Sequence, residues 1–147
     1  MTENPNLDVV QRCYAAFNRG DIEGLINLCS DDVTWGIDSV SILPWTGVRN
    51  GKEGVRQFFQ KVDEGIEFRV FKVHDLAAVG SNVYAQVDTV WLAKATGNEV
   101  RQTEVHVFQV RNGKLASFRA YYDTLGEQQA MERRTQPPRV GAPTAPH

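Results

Sequence analysis

The chain has 147 residues and a formal net charge of −2, which is typical of a single domain without strong charge bias. No run of Lys and Arg is long enough to neutralise a row of phosphates, so nucleic acid is a poor candidate partner. The apolar stretches are too short to span a membrane. The N-terminus lacks the basic start and apolar core of a signal peptide, so we expect a cytoplasmic protein without membrane contact.

The histidines and cysteines do not form a metal-binding pattern. His74, His106 and His147 are scattered, and no Cys-x-x-Cys or His-x-x-x-His occurs. We therefore expect neither a metal site nor a cofactor. Cys13 and Cys29 lie in helical patterns, which predicts reduced thiols in the core; a disulfide is the weaker alternative.

The first part of the chain has the periodicity of helices. The apolar face of the first predicted helix consists of Val9, Val10, Cys13, Tyr14 and Phe17. After a stop at Asn18-Arg19-Gly20, Asp21 can cap a second helix that extends to Cys29. A short strand starts near Val33. Residues 38–51 read as a loop that is apolar enough to cover something, and a third helix follows with an apolar stripe that includes Phe58 and an end at Gly65.

From Ile66 onward the periodicity changes to two, which is typical of strands. A change of parity near Val70 predicts a β-bulge that bends the sheet. Tight turns at Gly97 and at Asn112-Gly113 separate strands predicted over residues 83–93, 99–110 and 114–122. A short helix from Thr124 to about residue 134 follows, and the Pro-rich tail, residues 135–147, is predicted to be disordered.

These elements predict an α+β fold in which three N-terminal helices cover a curved antiparallel sheet. Because a helical cover on a bent sheet cannot collapse flat, a pocket for a small molecule is expected between the two layers.

Three stretches of the chain resemble the SnoaL-like and ketosteroid-isomerase-like families of the nuclear transport factor 2-like superfamily. They are VVQRCYAAFNRGDIEGLINLCSDDVTW, LPWTGVRNGKEGVRQFF and VHVFQVRNGKLASFRAYYD. The resemblance implies one cone-shaped SnoaL-like domain over residues 1–134. It is weak for function, because this fold supports isomerases, cyclases, hydrolases, dehydratases and binding proteins.

The catalytic residues of the best-known relatives are mostly absent. The positions that resemble those of ketosteroid isomerase hold Cys13, with Tyr14 adjacent, Ile37, with Asp38 adjacent, and His106. Of the five positions that resemble those of limonene-epoxide hydrolases, only Asp88 matches; the others hold Gln86, Ala120, Trp35 and Ile37. Neither mechanism is therefore implied in its familiar form.

Asp88 and His106 are the predicted catalytic pair. If the hairpin is centred on Gly97, the two residues lie opposite each other, and the carboxylate can orient the imidazole as a base. The resemblance implies that Asp88 faces the pocket. The alternate parity of the same strand (Val83, Ala85, Val87 and Trp91) is more apolar, so periodicity alone leaves open that Asp88 faces solvent or a dimer partner.

The remaining predicted site residues would bind the ligand. They are Tyr14, Phe17, Trp35, Phe58, Gln86, Glu104, Phe108, Phe118 and Tyr122. Gln86 or Tyr122 would donate to a developing oxyanion, and Glu104, if buried, could act as an acid. Core packing explains Tyr14 and Phe17 equally well, and it is the favoured interpretation of Trp35 and Tyr122. Asp38 is a loop carboxylate with a smaller chance of entering the pocket, and Asp123 is expected to cap the following helix.

Two functions are compatible with this pattern. The first is a cofactor-free acid–base enzyme of the isomerase, cyclase or dehydratase type that acts on a small hydrophobic carbonyl compound. The alternative is a non-catalytic binding or carrier protein for a hydrophobic metabolite. A homodimer is expected in either case, because one face of the sheet, assigned Val87, Trp91, Val105 and Val107, is too apolar to leave in water.

Overall fold

The structure is a computed structural model that describes residues 4–40 and 43–132. The described residues form four helices: α1 (Pro5–Asn18), α2 (Ile22–Asn27), α3 (Gly51–Gly65) and α4 (Thr124–Glu132). Within the same ranges they form six strands: β1 (Cys29–Ile37), β2 (Gly47–Asn50), β3 (Ile66–Val79), β4 (Asn82–Ala93), β5 (Glu99–Arg111) and β6 (Lys114–Tyr121). The predicted α+β order of helices followed by a strand meander is confirmed.

The six strands form one sheet in the order β2-β1-β6-β5-β4-β3. All neighbours are antiparallel except β1 and β6, which are parallel. The register between β3 and β4 shifts between Phe68 and Val70 and again between Val73 and Asp75. The first shift is the bulge expected near Val70. Bulges increase the local bend and twist of a sheet, so the two shifts curve its β3 edge.

Side chains at the helix starts supply hydrogen-bond partners for otherwise unpaired backbone amides. Asn4 caps α1, where Oδ1 accepts from the amide of Asn6, and Asp21 caps α2 through the amide of Gly24. Asp123 caps α4 by accepting from the amide of Gly126 at 2.9 Å. The capping roles predicted for Asp21 and Asp123 are thus confirmed.

Cys29 begins β1 instead of ending α2. The register aligns it with Leu115 of β6, and the amide of Leu115 donates to the carbonyl oxygen of Leu28. Sheet pairing therefore overrides the helical spacing that included Cys29 in the second helix. Cys13 and Cys29 are both free and buried, as expected, and burial raises the pKa of both thiols, that of Cys29 to about 11.

The predicted pairing of Asp88 with His106 is wrong. In the β4–β5 hairpin Asp88 aligns with Thr103, and His106 aligns with Ala85. The turn is centred between residues 95 and 96, because the amide of Ala93 donates to the carbonyl oxygen of Asn98. This moves the pairing by three residues relative to a hairpin centred on Gly97, and an odd shift exchanges the two faces of a strand.

The four residues that were assigned to one dimer face lie on opposite faces of the sheet. Val87 and Trp91 are buried on the inner face, under the helices. Val105 lies on the outer face with 44% of its surface exposed, and Val107 is half-buried there. The expected dimer interface can therefore include Val105 and Val107 of the outer face but not Val87 or Trp91.

The described chain ends at Glu132. The predicted tail, residues 135–147, and the last two positions of the predicted C-terminal helix lie outside the described residues. Within the described ranges, no helix is long and apolar enough to cross a membrane.

Candidate active site

A cavity lies between the helices and the inner face of the sheet, with about 680 Å³ of empty space that includes solvent at its open mouth. Concave, mostly apolar spaces of this kind are typical of small-molecule sites. Its lining consists of Cys13, Tyr14, Phe17, Leu25, Trp35, Ile37, Trp45, Phe58, Phe59, Val62, Ile66, Phe68, Phe71, Trp91, Glu104, His106, Phe108, Phe118, Ala120, Tyr122 and Glu127. More than half of these residues are aromatic. Every predicted ligand-binding residue except Gln86 lines the cavity.

The cavity contains a hydrogen-bonded chain of three side chains from α1 and β5. The hydroxyl of Tyr14 lies 2.6 Å from Nδ1 of His106, and Nε2 of the same ring lies 2.8 Å from Oε1 of Glu104. Glu104 and His106 are two residues apart on β5, so they point to the same side of the sheet. All three residues are buried. The partner that orients His106 is therefore its neighbour Glu104, not Asp88.

The distances restrict where the protons of this chain can lie. With Glu104 as a carboxylate, Nε2–H of His106 donates to it, Nδ1 is left as an acceptor, and the Tyr14 hydroxyl donates to Nδ1. Burial, with contributions from Cys13 and Glu104, raises the pKa of Tyr14 well above its usual range. Tyr14 is consequently a neutral phenol at physiological pH, and its oxygen keeps lone pairs for a further partner.

Aromatic side chains fix the position of the ring at the centre of this chain. Tyr14 stacks on His106 with ring centroids 5.9 Å apart and meets Phe108 edge-on. Phe118 approaches the imidazole edge-to-face with centroids 5.0 Å apart. These contacts leave the imidazole little freedom to rotate away from its two partners.

A second polar group lines the cavity where α4 closes it. Glu127 is 2% exposed, and its carboxyl accepts from Nε1 of Trp45 at 2.9 Å and from the hydroxyl of Tyr122 at 2.9 and 3.0 Å. Burial raises the pKa of Glu127 to about 7, although the two donors oppose the shift. Val105 pairs with Tyr121 and His106 with Ala120, so Tyr122 follows beside Glu104. The two polar groups are therefore neighbours in one cavity.

Asp88 lies on the outer face, away from the cavity. Its carboxylate accepts from His74 and, at 2.9 Å, from the hydroxyl of Thr103. These two hydrogen bonds lower its pKa, with His74 the larger cause. Gln86 shares the outer face and is exposed, and Asp38 is exposed and does not line the cavity. None of these three side chains can reach a ligand in the cavity.

Trp35 carries a buried donor without a partner. Its indole Nε1–H makes no hydrogen bond within the described chain, although the residue is 2% exposed and lines the cavity. By contrast, the indole of Trp45 donates to Glu127 and that of Trp91 donates to Gln102. A buried N–H without an acceptor costs about 1–3 kcal/mol, so a ligand oxygen at this position would recover that energy.

Glu127 and Trp45 were not among the predicted site residues. Only weak signals pointed to them. The loop containing Trp45 is unusually apolar, and Glu127 lies three residues before Ala130, on the same buried helical face. A lone glutamate in a short helix more often faces water, and only the packing of α4 reverses that expectation.

Comparison with known proteins identifies the family. The sequence model of the SnoaL-like domain family matches residues 10–118 of this chain. The chain belongs to the SnoaL-like family. Comparison with curated proteins gave no significant match. Within the described residues, no cluster of three or more His, Cys, Asp or Glu could hold a metal ion.

The solved structures similar to this SnoaL-like protein include nuclear transport factor 2-like proteins. One from Burkholderia pseudomallei is 23% identical, with a TM-score of 0.81 over 88% of this chain and 99% of that chain. One from Burkholderia xenovorans is 27% identical, with a TM-score of 0.79 over 89% and 98%. A candidate SnoaL-like polyketide cyclase from Mesorhizobium loti is 26% identical, with a TM-score of 0.68 over 83% and 100%. They confirm the predicted cone-shaped fold and superfamily.

Proposed function

We propose that this SnoaL-like protein is a cofactor-free acid–base enzyme that moves a proton next to the carbonyl group of a small, mostly apolar compound. Isomerisation, aldol-type cyclisation and dehydration all need such a step. The observation that carries the proposal is the buried Tyr14–His106–Glu104 chain in an otherwise apolar cavity. The similarity to a candidate polyketide cyclase is compatible with this class of chemistry.

The Tyr14–His106–Glu104 chain of hydrogen bonds can take up a proton without leaving a charge on Tyr14 or His106, while the electron pair of the broken C–H bond places negative charge on the substrate oxygen. A substrate C–H proton goes to the Tyr14 oxygen, the phenol proton passes to Nδ1 of His106, and the Nε2 proton passes to Glu104. The carboxylate becomes a carboxylic acid, while His106 and Tyr14 end neutral. The reverse sequence returns the proton to a different atom of the substrate, which completes an isomerisation. This relay avoids a tyrosinate, which the raised pKa of Tyr14 disfavours.

The substrate oxygen needs a donor when negative charge develops on it. Gln86, one of the two donors expected from the sequence, lies outside the cavity. The other, Tyr122, already donates to Glu127. Trp35 supplies the unused donor, because its Nε1–H has no partner within the described residues. Trp35 stacks on Phe118, and Phe118 in turn meets His106, so an oxygen held by Trp35 would lie in the same part of the cavity as the relay.

Proton abstraction can be measured without knowing the natural substrate. The probe is 2-tetralone, an apolar bicyclic ketone with an acidic C–H beside the carbonyl, and the readout is its deuterium uptake in D2O by NMR. We expect catalysed exchange above the buffer rate. Tyr14→Phe, which removes only the hydroxyl, should lower it about 100-fold, within the range of general acid–base catalysis. His106→Gln should have a similar effect.

Two controls make the test specific. Tyr84→Phe removes the same hydroxyl from an exposed site on the outer face, and Asp88→Asn neutralises the carboxylate there. Both variants should exchange at the wild-type rate. Exchange that Tyr14→Phe leaves unchanged would exclude the relay. Tight binding of 2-tetralone with no exchange above buffer would instead favour the binding or carrier function, for which the apolar lining is sufficient.

A further inference from the structure

The charged groups that line the cavity are acidic. Glu104 and Glu127 contribute carboxyl groups, and no Lys or Arg of the described chain is among the lining residues. The carboxyls lie on different elements, β5 and α4, and Glu104 adds to the rise in the pKa of both Glu127 and Tyr122. The cavity thus concentrates negative charge without a cation of the protein to offset it.

One carboxylate oxygen in the cavity is unused. Both oxygens of Glu127 accept hydrogen bonds, from Trp45 and Tyr122. Glu104 accepts only through Oε1, from His106, and its Oε2 has no hydrogen bond within the described residues. The Glu104 side chain is 10% exposed, and the residue lines the cavity. Its Oε2 is thus open to the cavity and can accept a hydrogen bond from a donor that the protein does not supply.

The rest of the wall is suited to a cation with an apolar body. Aromatic rings dominate the lining, and a cation over such a ring is attracted to its negative face, more strongly when water is excluded. Tyr14 is linked to Glu104 through His106, and Tyr122 follows the strand that neighbours Glu104. A ligand ammonium that reaches Oε2 therefore has an aromatic surrounding as well as a carboxylate.

We propose that the ligand of this cavity carries a protonated amine on an apolar ring system, with the ammonium bound between Glu104 and Glu127. The inference rests on the proposed function for the choice of site and narrows its substrate class. The ammonium donates to Oε2 of Glu104, and its charge offsets the repulsion between the two carboxylates. A ligand carboxylate would bring a further negative charge into a low-dielectric space and is excluded.

Three ligands of one shape test the charge preference on the unaltered protein: 2-aminotetralin, which is protonated at pH 8, the neutral hydrocarbon tetralin, and tetralin-2-carboxylate. Dissociation constants are measured by calorimetry at pH 8. We expect the ammonium to bind about tenfold or more tighter than tetralin, because a hydrogen bond to a charged partner is among the stronger ones. The carboxylate should bind most weakly. Equal affinities, or the tightest binding by the carboxylate, would overturn the proposal.

Variants of the protein then test which carboxylates cause the preference for the ammonium ligand. Glu104→Gln and Glu127→Gln should each reduce the ratio of ammonium affinity to tetralin affinity, because each removes a carboxylate from the site. The ratio is the readout because a change in cavity shape affects both ligands alike. Glu132→Gln, an exposed position on α4, is the matched control and should preserve the ratio. A ratio that survives both cavity substitutions would reject the site. If a variant does not fold, the ligand series on the unaltered chain still decides.

The pH dependence supplies an independent check. Tyr122 and Glu104 interact with Glu127, and the other titratable groups in the cavity wall are His106 on β5 and Tyr14 and Cys13 on α1. Ammonium affinity should rise between pH 6 and pH 8 as Glu127 ionises, while tetralin affinity stays constant. Glu127→Gln should flatten the rise. Because these readouts are binding constants, a failure of deuterium exchange leaves them intact, and the reverse also holds.

Discussion

Replacement of Glu127 by Gln should alter how the stability of the protein depends on pH. The folded chain raises the pKa of Glu127 from 4.5 to about 7, because burial disfavours the ionised form. A carboxyl whose pKa is raised on folding stabilises the folded state fully below pH 4.5. That contribution is lost as the pH rises through about 7. At 1.36 kcal/mol for each pKa unit, the whole effect is about 3 kcal/mol.

Most of this change, about 2.5 kcal/mol, falls between pH 5 and pH 8. Urea unfolding of both proteins at the two pH values measures it. The wild type should lose about 2–3 kcal/mol more than Glu127→Gln over this interval. Any constant cost of the amide beside Trp45 and Tyr122 cancels in the comparison. Glu132→Gln on the exposed face of α4 is the control and should follow the wild type. A difference below about 0.5 kcal/mol would show that Glu127 is not held in an apolar environment.

Two further predictions concern the backbone and the outer face. Gly36→Ala should lower the free energy of unfolding in urea by about 2–4 kcal/mol, because a Cβ there would lie 2.1 Å from the carbonyl oxygen of Gly47. A loss of less than about 0.5 kcal/mol would contradict this close approach. We retain the homodimer as a proposal, now through the outer residues Tyr84, Val105 and Tyr121, which are 39%, 44% and 53% exposed. Val105→Lys should convert a dimer into a monomer by light scattering, and a monomeric wild type at micromolar concentration would refute the interface.

Periodicity was sufficient for the elements that bury one face. The stripe on α1 and the alternation along β3 to β6 predicted where these elements lie, and the parity change at Val70 predicted the bulge. Local chemistry was sufficient for the caps at Asp21 and Asp123, because capping requires only neighbours in sequence. Pairings between distant segments were not predicted. The short β2 and the parallel contact of β1 with β6 are examples, since sequence patterns do not encode the partner of a strand.

The sequence predicted some residues of the candidate site but not the partner of His106, because that partner was inferred from the pairing of two strands. His106 was identified and does line the cavity, but its partner was assigned from the centre of a turn. Gly97 lies at the end of that turn and not at its middle; its positive φ of 79° closes the loop while the amide of Ala93 pairs with Asn98. Because the centre of the turn was taken from Gly97 alone, Asp88 was predicted on the same face of the sheet as His106, whereas it lies on the outer face. Glu104 was correctly placed on the face of His106, since that follows from their separation of two residues.

The turn that decides the β4–β5 register also holds α4. The carbonyl oxygen of Ala130 accepts from the Thr96 hydroxyl at 2.5 Å and from the Asn98 side-chain amide at 2.9 Å. A change in the length of this turn would thus act on two parts of the molecule together, the faces of β4 and β5 and the attachment of the closing helix. Engineered insertions, such as reporter peptides or affinity tags, belong instead at the turn of Asn112 and Gly113. There, both turn residues are exposed, whereas Thr96 and Asn98 are half-buried and bonded to α4.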